Sequence, residues 1–294
     1  MNLPSNPSVL DSKVEGLHSM GSLAVLIPVF NEAPTIREII GRVLAKSFVS
    51  EVVVVDEGST DGVYDLLTTQ GTRNERVKII KHIGNRGKGA AIRTALSHSD
   101  SALVLIQDAD LEYDPVDYKK LVECMQHSTT AIVYGSRFMR ESHVTASSSW
   151  QNSGNRLLTR FGNWVTGQTL TDEATCYKLF RREILEQMNL QEDGFGFCPE
   201  VTAKAGRLGI RILEVPISYR PRNRREGKKI RIWHGFEALW CLLKYTWFDR
   251  SLVAETPHRV NAVRRRYCEL PRPMYPGPSE ANTRLRSAGE GDSK

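Results

Sequence analysis

The chain has 294 residues, with 40% hydrophobic and 25% charged residues. That balance excludes a fibrous or wholly disordered protein, and the length allows one large domain with a substantial core. The five cysteines (Cys124, Cys176, Cys198, Cys241 and Cys268) are odd in number and widely spaced. They form neither a disulfide framework nor a zinc-ligand pattern, so reduced thiols and a cytoplasmic setting are expected. The polar N-terminal stretch lacks the apolar core of a secretory signal. No apolar run approaches the roughly 20 residues of a membrane-spanning helix. Net charge is +6, and residues 220–231 (RPRNRREGKKIR) carry seven basic residues against one acidic residue, an excess as large as the whole chain's. Such a patch suits a diphosphate, a lipid head group or nucleic acid, or is simply a solvated loop.

In chain order, residues 1–21 read as a flexible leader. Leu23 to Phe30 is a short apolar run, predicted to be a buried strand. Helical spacing follows over Pro34 to Lys46, at Ile36, Ile39, Ile40, Val43 and Leu44, with Pro34 suited to the first turn. Glu51 to Asp56 is a second strand, and the Gly58–Gly62 turn leads into a helix. Val77 to Lys81 is a third strand, Gly87 to His98 a helix that starts among glycines, and Ala102 to Ile106 a fourth strand. Asp114 to Met125 is a helix and Ala131 to Tyr134 a fifth strand. Residues 140–155, rich in Ser, Asn and Thr, read as a mobile loop, and Leu157 to Val165 as a helix. The 170–219 segment is mixed and ends in a strand-like Arg211 to Tyr219. Residues 232–250 hold an amphipathic aromatic helix, and 251–294 a disordered basic tail.

Strands that are continuous apolar runs, alternating with helices, indicate an α/β fold. Its sheet is expected to be mostly parallel, with helices on both faces. Ligands of such sheets bind beyond the carboxyl ends of the strands. Those ends carry Asn31-Glu32, Asp56-Glu57 and Asp108-Ala109-Asp110. Two carboxylates one residue apart can hold one hard cation, Mg²⁺ or Mn²⁺, together with substrate phosphates. A D-x-D in isolation is usually a surface turn; its place at a strand end raises its weight. Asp56 precedes a capping sequence, and its carboxylate can accept hydrogen bonds from a base edge or ribose hydroxyls. Asn85-Arg86-Gly87-Lys88-Gly89-Ala90 opens a helix, where glycines let backbone approach a phosphate. Neither a P-loop nor a G-x-G-x-x-G dinucleotide fingerprint is present.

The stretches VLIPVFNE (25–32), VVVDEGSTDG (53–62), NRGKGAAI (85–92), QDADLEYDP (107–115) and GSRF (135–138) together resemble the family-2 inverting glycosyltransferases. TDEATCYKLF (171–180), EVPISYRPR (214–222) and EGKKI (226–230) extend the likeness to the dolichol- and polyprenol-phosphate mannosyl- and glucosyltransferases, over roughly residues 22–248. The resemblance implies a GT-A fold over residues 22–231, a Rossmann-like sheet with a nucleotide half and an acceptor half. It implies donor contacts from Pro28, Phe30, Glu32, Asp56, Lys88 and Asp108. It implies a Mg²⁺ or Mn²⁺ site at Asp108, Asp110 and Glu112, with Asp110 catalytic. It places the acceptor's phosphate on Arg137, assisted by Arg156. The 220–231 segment becomes a loop over the donor, with Arg222, Lys228 and Lys229 on the diphosphate. Two positions depart from the family pattern: Glu57 stands where a second aspartate is usual, and Glu112 where glutamine is common.

The expected reaction moves a hexosyl group from a UDP- or GDP-sugar to a polyprenyl phosphate, with inversion. The chain would act as a peripheral protein on the cytoplasmic membrane face, with no nucleic-acid partner. A lipid phosphate is already anionic and needs no general base; a saccharide or other hydroxyl acceptor would need one, and Asp172 is the candidate. A non-catalytic nucleotide-sugar or nucleic-acid binder is the alternative of another class. Trp233, Phe236, Trp240, Leu243 and Trp247 follow a seam-like spacing. That spacing suits core packing, a homo-oligomer seam, or a helix lying in a lipid head-group layer.

Overall fold

A computed structural model of the chain describes residues 22–69, 74–139, 149–222, 233–249 and 267. A seven-stranded sheet organises them: β1 (Leu23–Val29), β2 (Val49–Asp56), β3 (Val77–Lys81), β4 (Leu103–Ile106), β5 (Ile132–Ser136), β6 (Lys178–Arg181) and β7 (Leu213–Pro216). The helices are α1 (Ile36–Leu44), α2 (Val63–Thr69), α3 (Lys88–Ser97), α4 (Tyr118–Gln126), α5 (Ser149–Thr166), α6 (Arg182–Gln187), α7 (Phe197–Leu208) and α8 (Trp233–Leu243).

The strand order is β3-β2-β1-β4-β6-β5-β7. Strand pairs β1/β2, β2/β3, β1/β4 and β5/β7 are parallel, and β6 runs antiparallel to both β4 and β5. Because side chains alternate across a strand, both faces of the central strands are apolar. Leu23, Val25 and Ile27 of β1, with Val52 and Val54 of β2, pack against α1, α2 and α4. Ala24, Leu26, Val53 and Val55 face the other way, against α3, α6 and α7. A smaller core joins α5, α7 and α8 through Leu158, Phe161, Ala203, Cys241, Leu242 and Tyr245.

The parallel order expected for the first half holds, and β6 is the element the sequence did not announce. It has four residues, too short for a period, and its direction is set by pairing alone. Several other expectations change. Ser149–Thr166 is one helix, so the helical part of the supposed 140–155 loop begins at Ser149; residues 140–148 lie outside the described residues. Pro34 precedes α1 rather than sitting in its first turn. Pro115–Asp117 forms a 3-10 turn before α4. Arg211–Tyr219 contributes only Leu213–Pro216 to the sheet, with a separate bridge between Tyr113 and Tyr219. Tyr267, in the supposed tail, is buried against the core, with its hydroxyl on Glu183 and its ring beside Arg181. The rest of that tail and the leader lie outside the described residues.

Candidate active site

The switch in strand order around β1 and β4 places the carboxyl ends of β1, β2 and β4 side by side, the usual ligand edge of an open α/β sheet. Antiparallel β6 brings its preceding segment, residues 172–177, to the same edge. Parallel β5 and β7 bring Arg137 and the 217–222 strap there as well. The edge is therefore built from chain segments far apart in sequence.

At the β2 end, Asp56 is fully buried. One oxygen accepts the Ser59 N–H at 2.9 Å, and the other, Oδ2, has no hydrogen-bond partner among the described residues. Asn31 and the 59–61 turn lock together: Asn31 N–H donates to Ser59 Oγ (2.9 Å), and Thr60 N–H donates to Asn31 Oδ1 (2.8 Å). Asn31 has φ +53°, a left-handed conformation that asparagine tolerates. Pro28 is buried within β1 and Phe30 is half-buried just beyond it.

At the β4 end, Lys88, the first residue of α3, ion-pairs with Asp108 and donates to Cys176 Sγ at 3.0 Å. Burial pushes the Asp108 carboxyl up, but Lys88 outweighs it and the group lies below the ordinary range. Asp110 behaves oppositely. Burial, with Asp108 and Glu112 nearby, raises it to about 7 despite Arg222. Leu111, between them, has φ +61°, a costly conformation for a side chain of this kind. Behind this turn, Gln107 is wholly buried. It accepts the hydroxyls of Tyr118 and Tyr177, each at 2.6 Å, and donates to the Asp108 carbonyl at 2.9 Å.

Arg222 occupies the middle of the carboxylates. Its guanidinium spans both oxygens of Glu32 (2.9–3.2 Å) and reaches Asp110 Oδ2 at 2.9 Å. Its backbone N–H donates to Glu112 Oε1 at 2.8 Å, and Tyr219 donates to Glu112 Oε2 at 2.7 Å. Glu112, expected as a third metal ligand, is tied to the strap in this structure. Among the described residues, no three His, Cys, Asp or Glu side chains are grouped to hold a metal ion. Asp108 and Asp110 remain as a pair, and their chemistry fits a hard cation completed by substrate phosphates. The Arg222 guanidinium already lies among these carboxylates.

At the β5 end, Arg137 and Asp172 form a buried, forked pair. Arg137 Nε donates to Asp172 Oδ2 (2.7 Å), Nη2 to Oδ1 (2.8 Å), and the Arg137 backbone N–H to Oδ2 (3.0 Å). Burial opposes the Arg137 charge, but Asp172 overrides it and holds the guanidinium firmly protonated. Asp172, expected as a base, thus has both oxygens engaged. Glu214 accepts the Thr171 and Asp172 N–H groups, at 2.7 and 3.0 Å, and so fixes the segment behind Asp172. Arg156, on α5, is exposed and lies beside the Phe138 ring at 5.5 Å, as Arg137 does.

A Cβ on Gly87 or Gly89 would fall 2.5 Å from Asp193 O and 2.1 Å from Glu192 O, and Ala90 N–H donates to Asp193 O at 3.1 Å. These glycines admit the 192–194 backbone of this chain. Lys228 and Lys229 lie outside the described residues. Gln107, Tyr219, Cys176 and Glu214 were not singled out in the sequence. Only their adjacency to acidic motifs marks them, and their partners are set by the fold.

The family model for glycosyl transferase family 2 matches residues 24–188. Glycosyltransferase AglJ of Haloferax volcanii is 32% identical over 204 residues, covering 68% of this chain and 64% of that one. This chain thus spans just under two thirds of that relative's length. The undecaprenyl-phosphate mannosyltransferase of Micrococcus luteus is 29% identical, over 69% of this chain and 85% of its own. A dolichyl-phosphate beta-glucosyltransferase of Trichomonas vaginalis is 28% identical, over 78% and 74%. Among solved structures, glucosyl-3-phosphoglycerate synthase of Mycobacterium tuberculosis, in complex with Mn²⁺, UDP and glucosyl-3-phosphoglycerate, superposes with a TM-score of 0.59 at 18% identity. It covers 84% of this chain and 86% of that one. That likeness shows the GT-A fold. With ordered motifs, sheet and family model in agreement, the chain belongs to glycosyl transferase family 2 and is a glycosyltransferase.

Proposed function

We propose that the protein transfers a hexosyl group from a UDP- or GDP-sugar to a polyprenyl phosphate, with inversion, at a membrane surface. The observation that carries this reading is the pair of charge clusters on one sheet edge. One is a carboxylate cluster bridged by Arg222, and the other is a buried arginine held by Asp172. Asp108 and Asp110 would hold Mg²⁺ or Mn²⁺, which supplies charge neutralisation at the departing diphosphate. Asp56 Oδ2 is a free acceptor for a base or ribose donor. Arg222 supplies positive charge to Glu32 and Asp110, and from there it can shift to the diphosphate.

Arg137 binds the acceptor phosphate through the part of its fork not given to Asp172, and Arg156 adds a second charge. A phosphate oxygen forms the new bond to the anomeric carbon. The bond from that carbon to the nucleoside diphosphate breaks, and its electron pair leaves on the diphosphate. The acceptor oxygen is already anionic, so no proton has to be removed. A saccharide acceptor would require a base. Asp172, with both oxygens on Arg137, is better suited to positioning that arginine. The names of the two bacterial and protist relatives, which act on undecaprenyl and dolichyl phosphates, support the same acceptor class.

The test is transfer from UDP-glucose and from GDP-mannose, with Mg²⁺ or Mn²⁺, with and without a short polyprenyl phosphate. The expected result is metal-dependent product from one donor only when the lipid is present. Turnover should fall about 10²–10³-fold or more in Asp110→Ala. Turnover of either donor onto a free saccharide, with no response to the lipid, would overturn the acceptor assignment.

A further inference from the structure

The start of α3 is capped from outside its own sequence. Gly87, the residue before it, offers no side-chain cap. A helix start leaves its first N–H groups without partners along the helix. Here the Ala90 N–H finds one in Asp193 O, at 3.1 Å. The preceding carbonyl, Glu192 O, accepts Arg93 Nη1 at 2.6 Å, further along the same helix. Only because residues 87 and 89 are glycines can these two carbonyls come so close. Between the glycines stands Lys88, on Asp108 and on Cys176 Sγ. The seat of Lys88 is therefore set by residues 192 and 193, far away in the sequence.

A pair of buried charges holds that segment in turn. Glu200 and Lys204, one turn apart on α7, are both wholly buried, with Lys204 Nζ 2.7 Å from Glu200 Oε1. Burying an ion pair strips both groups of water, and apolar side chains of the same size often serve stability as well or better. The other contacts of the pair give it a use. Glu200 Oε1 accepts the Gln191 N–H at 2.7 Å, and Oε2 accepts the Glu192 N–H at 2.8 Å. Lys204 donates to Asn189 O at 2.9 Å. Both carboxylate oxygens and the ammonium thus grip the main chain of residues 189–192. The Glu192 side chain is held as well, by the Tyr245 hydroxyl at 2.6 Å and Lys244 at 2.8 Å. Glu192 faces both ways: its N–H goes to Glu200, and its carbonyl goes to Arg93 and the start of α3.

We propose that Glu200 and Lys204 are positioning residues for the donor site. Neither touches the Asp108 carboxylate. They fix the 189–193 main chain, that chain caps α3, and the cap sets where Lys88 meets Asp108. A close-packed interior yields little, so a shift of the segment passes to the helix start it abuts. This role rests on the reading of Asp108 as part of the donor and metal site.

The experiment measures binding of UDP and of GDP to the full chain with Mn²⁺ by calorimetry, alongside denaturant unfolding. Glu200→Leu/Lys204→Met removes both charges and both acceptor oxygens. Glu200→Gln/Lys204→Met removes the charges and keeps one acceptor oxygen. In both variants Asp249, 3.8 Å from Lys204, retains Arg207 at 3.4 Å. The leucine variant should hold the nucleotide that the native chain binds about 10–100-fold more weakly, and the glutamine variant should recover part of the loss. In a Lys88→Met background the same changes should cost no further affinity, because their effect passes through Lys88. A shifted unfolding midpoint with native nucleotide affinity in both variants overturns the proposal and leaves the pair structural. So does a loss that adds in full to that of Lys88→Met. Should the leucine variant fail to fold, the glutamine variant decides: weakened nucleotide binding supports the role, and native affinity overturns it. No binding of either nucleotide by the native chain overturns the donor reading, and this role with it.

Discussion

At the β1–β2–β4 end of the sheet edge, Glu32, Asp108, Asp110 and Glu112 face Lys88 and Arg222. The carboxylates are in excess, and Asp110 rises to about 7. At the β5–β6–β7 end, Arg137 and Asp172 are matched one to one, and Asp172 is fully buried. The first region is short of positive charge and suited to accept a cation with an anionic donor. The second is a fixed guanidinium, its geometry settled before any ligand arrives. The proposed displacement would use this difference. The leaving diphosphate would bring its balancing cation with it, and the acceptor phosphate would meet a cation that does not move.

The largest effects should come from breaking the fixed end. Asp172→Ala leaves a buried guanidinium without its partner and should cost about 3–5 kcal/mol in denaturant unfolding. Asp172→Asn keeps one acceptor oxygen, so it should cost less and raise the acceptor KM more than it lowers kcat. Were Asp172 a base, the asparagine variant would instead lose kcat with the acceptor KM unchanged.

A smaller effect is expected where the carboxylate-rich end is anchored. Gly89→Ala would place a methyl 2.1 Å from Glu192 O, so one backbone must shift. The expected loss is about 1–3 kcal/mol, with a raised donor KM because Lys88 moves with the helix start. Unchanged stability with a lost donor affinity would mean that the glycine serves a phosphate after all.

The smallest effect sharpens the comparison through pH. Burial, with Asp172 nearby, pushes Glu214 up to about 7 even though backbone N–H groups oppose the shift. Its folded value lies above its unfolded one, so the folded state holds the proton more tightly. Stability contributed by this group is full below the ordinary carboxylate range and is lost as pH rises through about 7. Glu214→Gln should flatten that slope between about pH 5 and about pH 8. It should also cost about 1 kcal/mol overall where an amide N–H loses its acceptor. An unchanged slope would assign the titration to another group.

Much of the first region was legible because its residues are local. Val-rich strands announce themselves, and the acids stand at their ends, so Asp56, Asp108 and Asp110 could be placed on one edge from strand order alone. The partners of Glu112 were not legible, because its place beside Asp110 in the sequence says nothing of its rotamer, and Tyr219, more than a hundred residues later, bonds it. What Gly87 and Gly89 approach was hidden for a related reason. A glycine signals close approach, but not whether a ligand or the chain itself approaches. Asp172 could be singled out from its motif, yet its partner Arg137 lies 35 residues away and is found only by β5 pairing with β6.

The amino-acid sequence alone determined the α/β class, the parallel run of the first strands and the acidic character of their carboxyl ends. Hydrophobic period and turn chemistry act over a few residues and are written into neighbours. Tertiary structure alone decided the antiparallel β6, the seat of Arg222 among the carboxylates, the Arg137–Asp172 pair, and which side of α8 is core. Those outcomes depend on which distant segments share a boundary. A buried charge must find its partner wherever the chain brings one, and a helix apolar on both sides is sorted only by what packs against it.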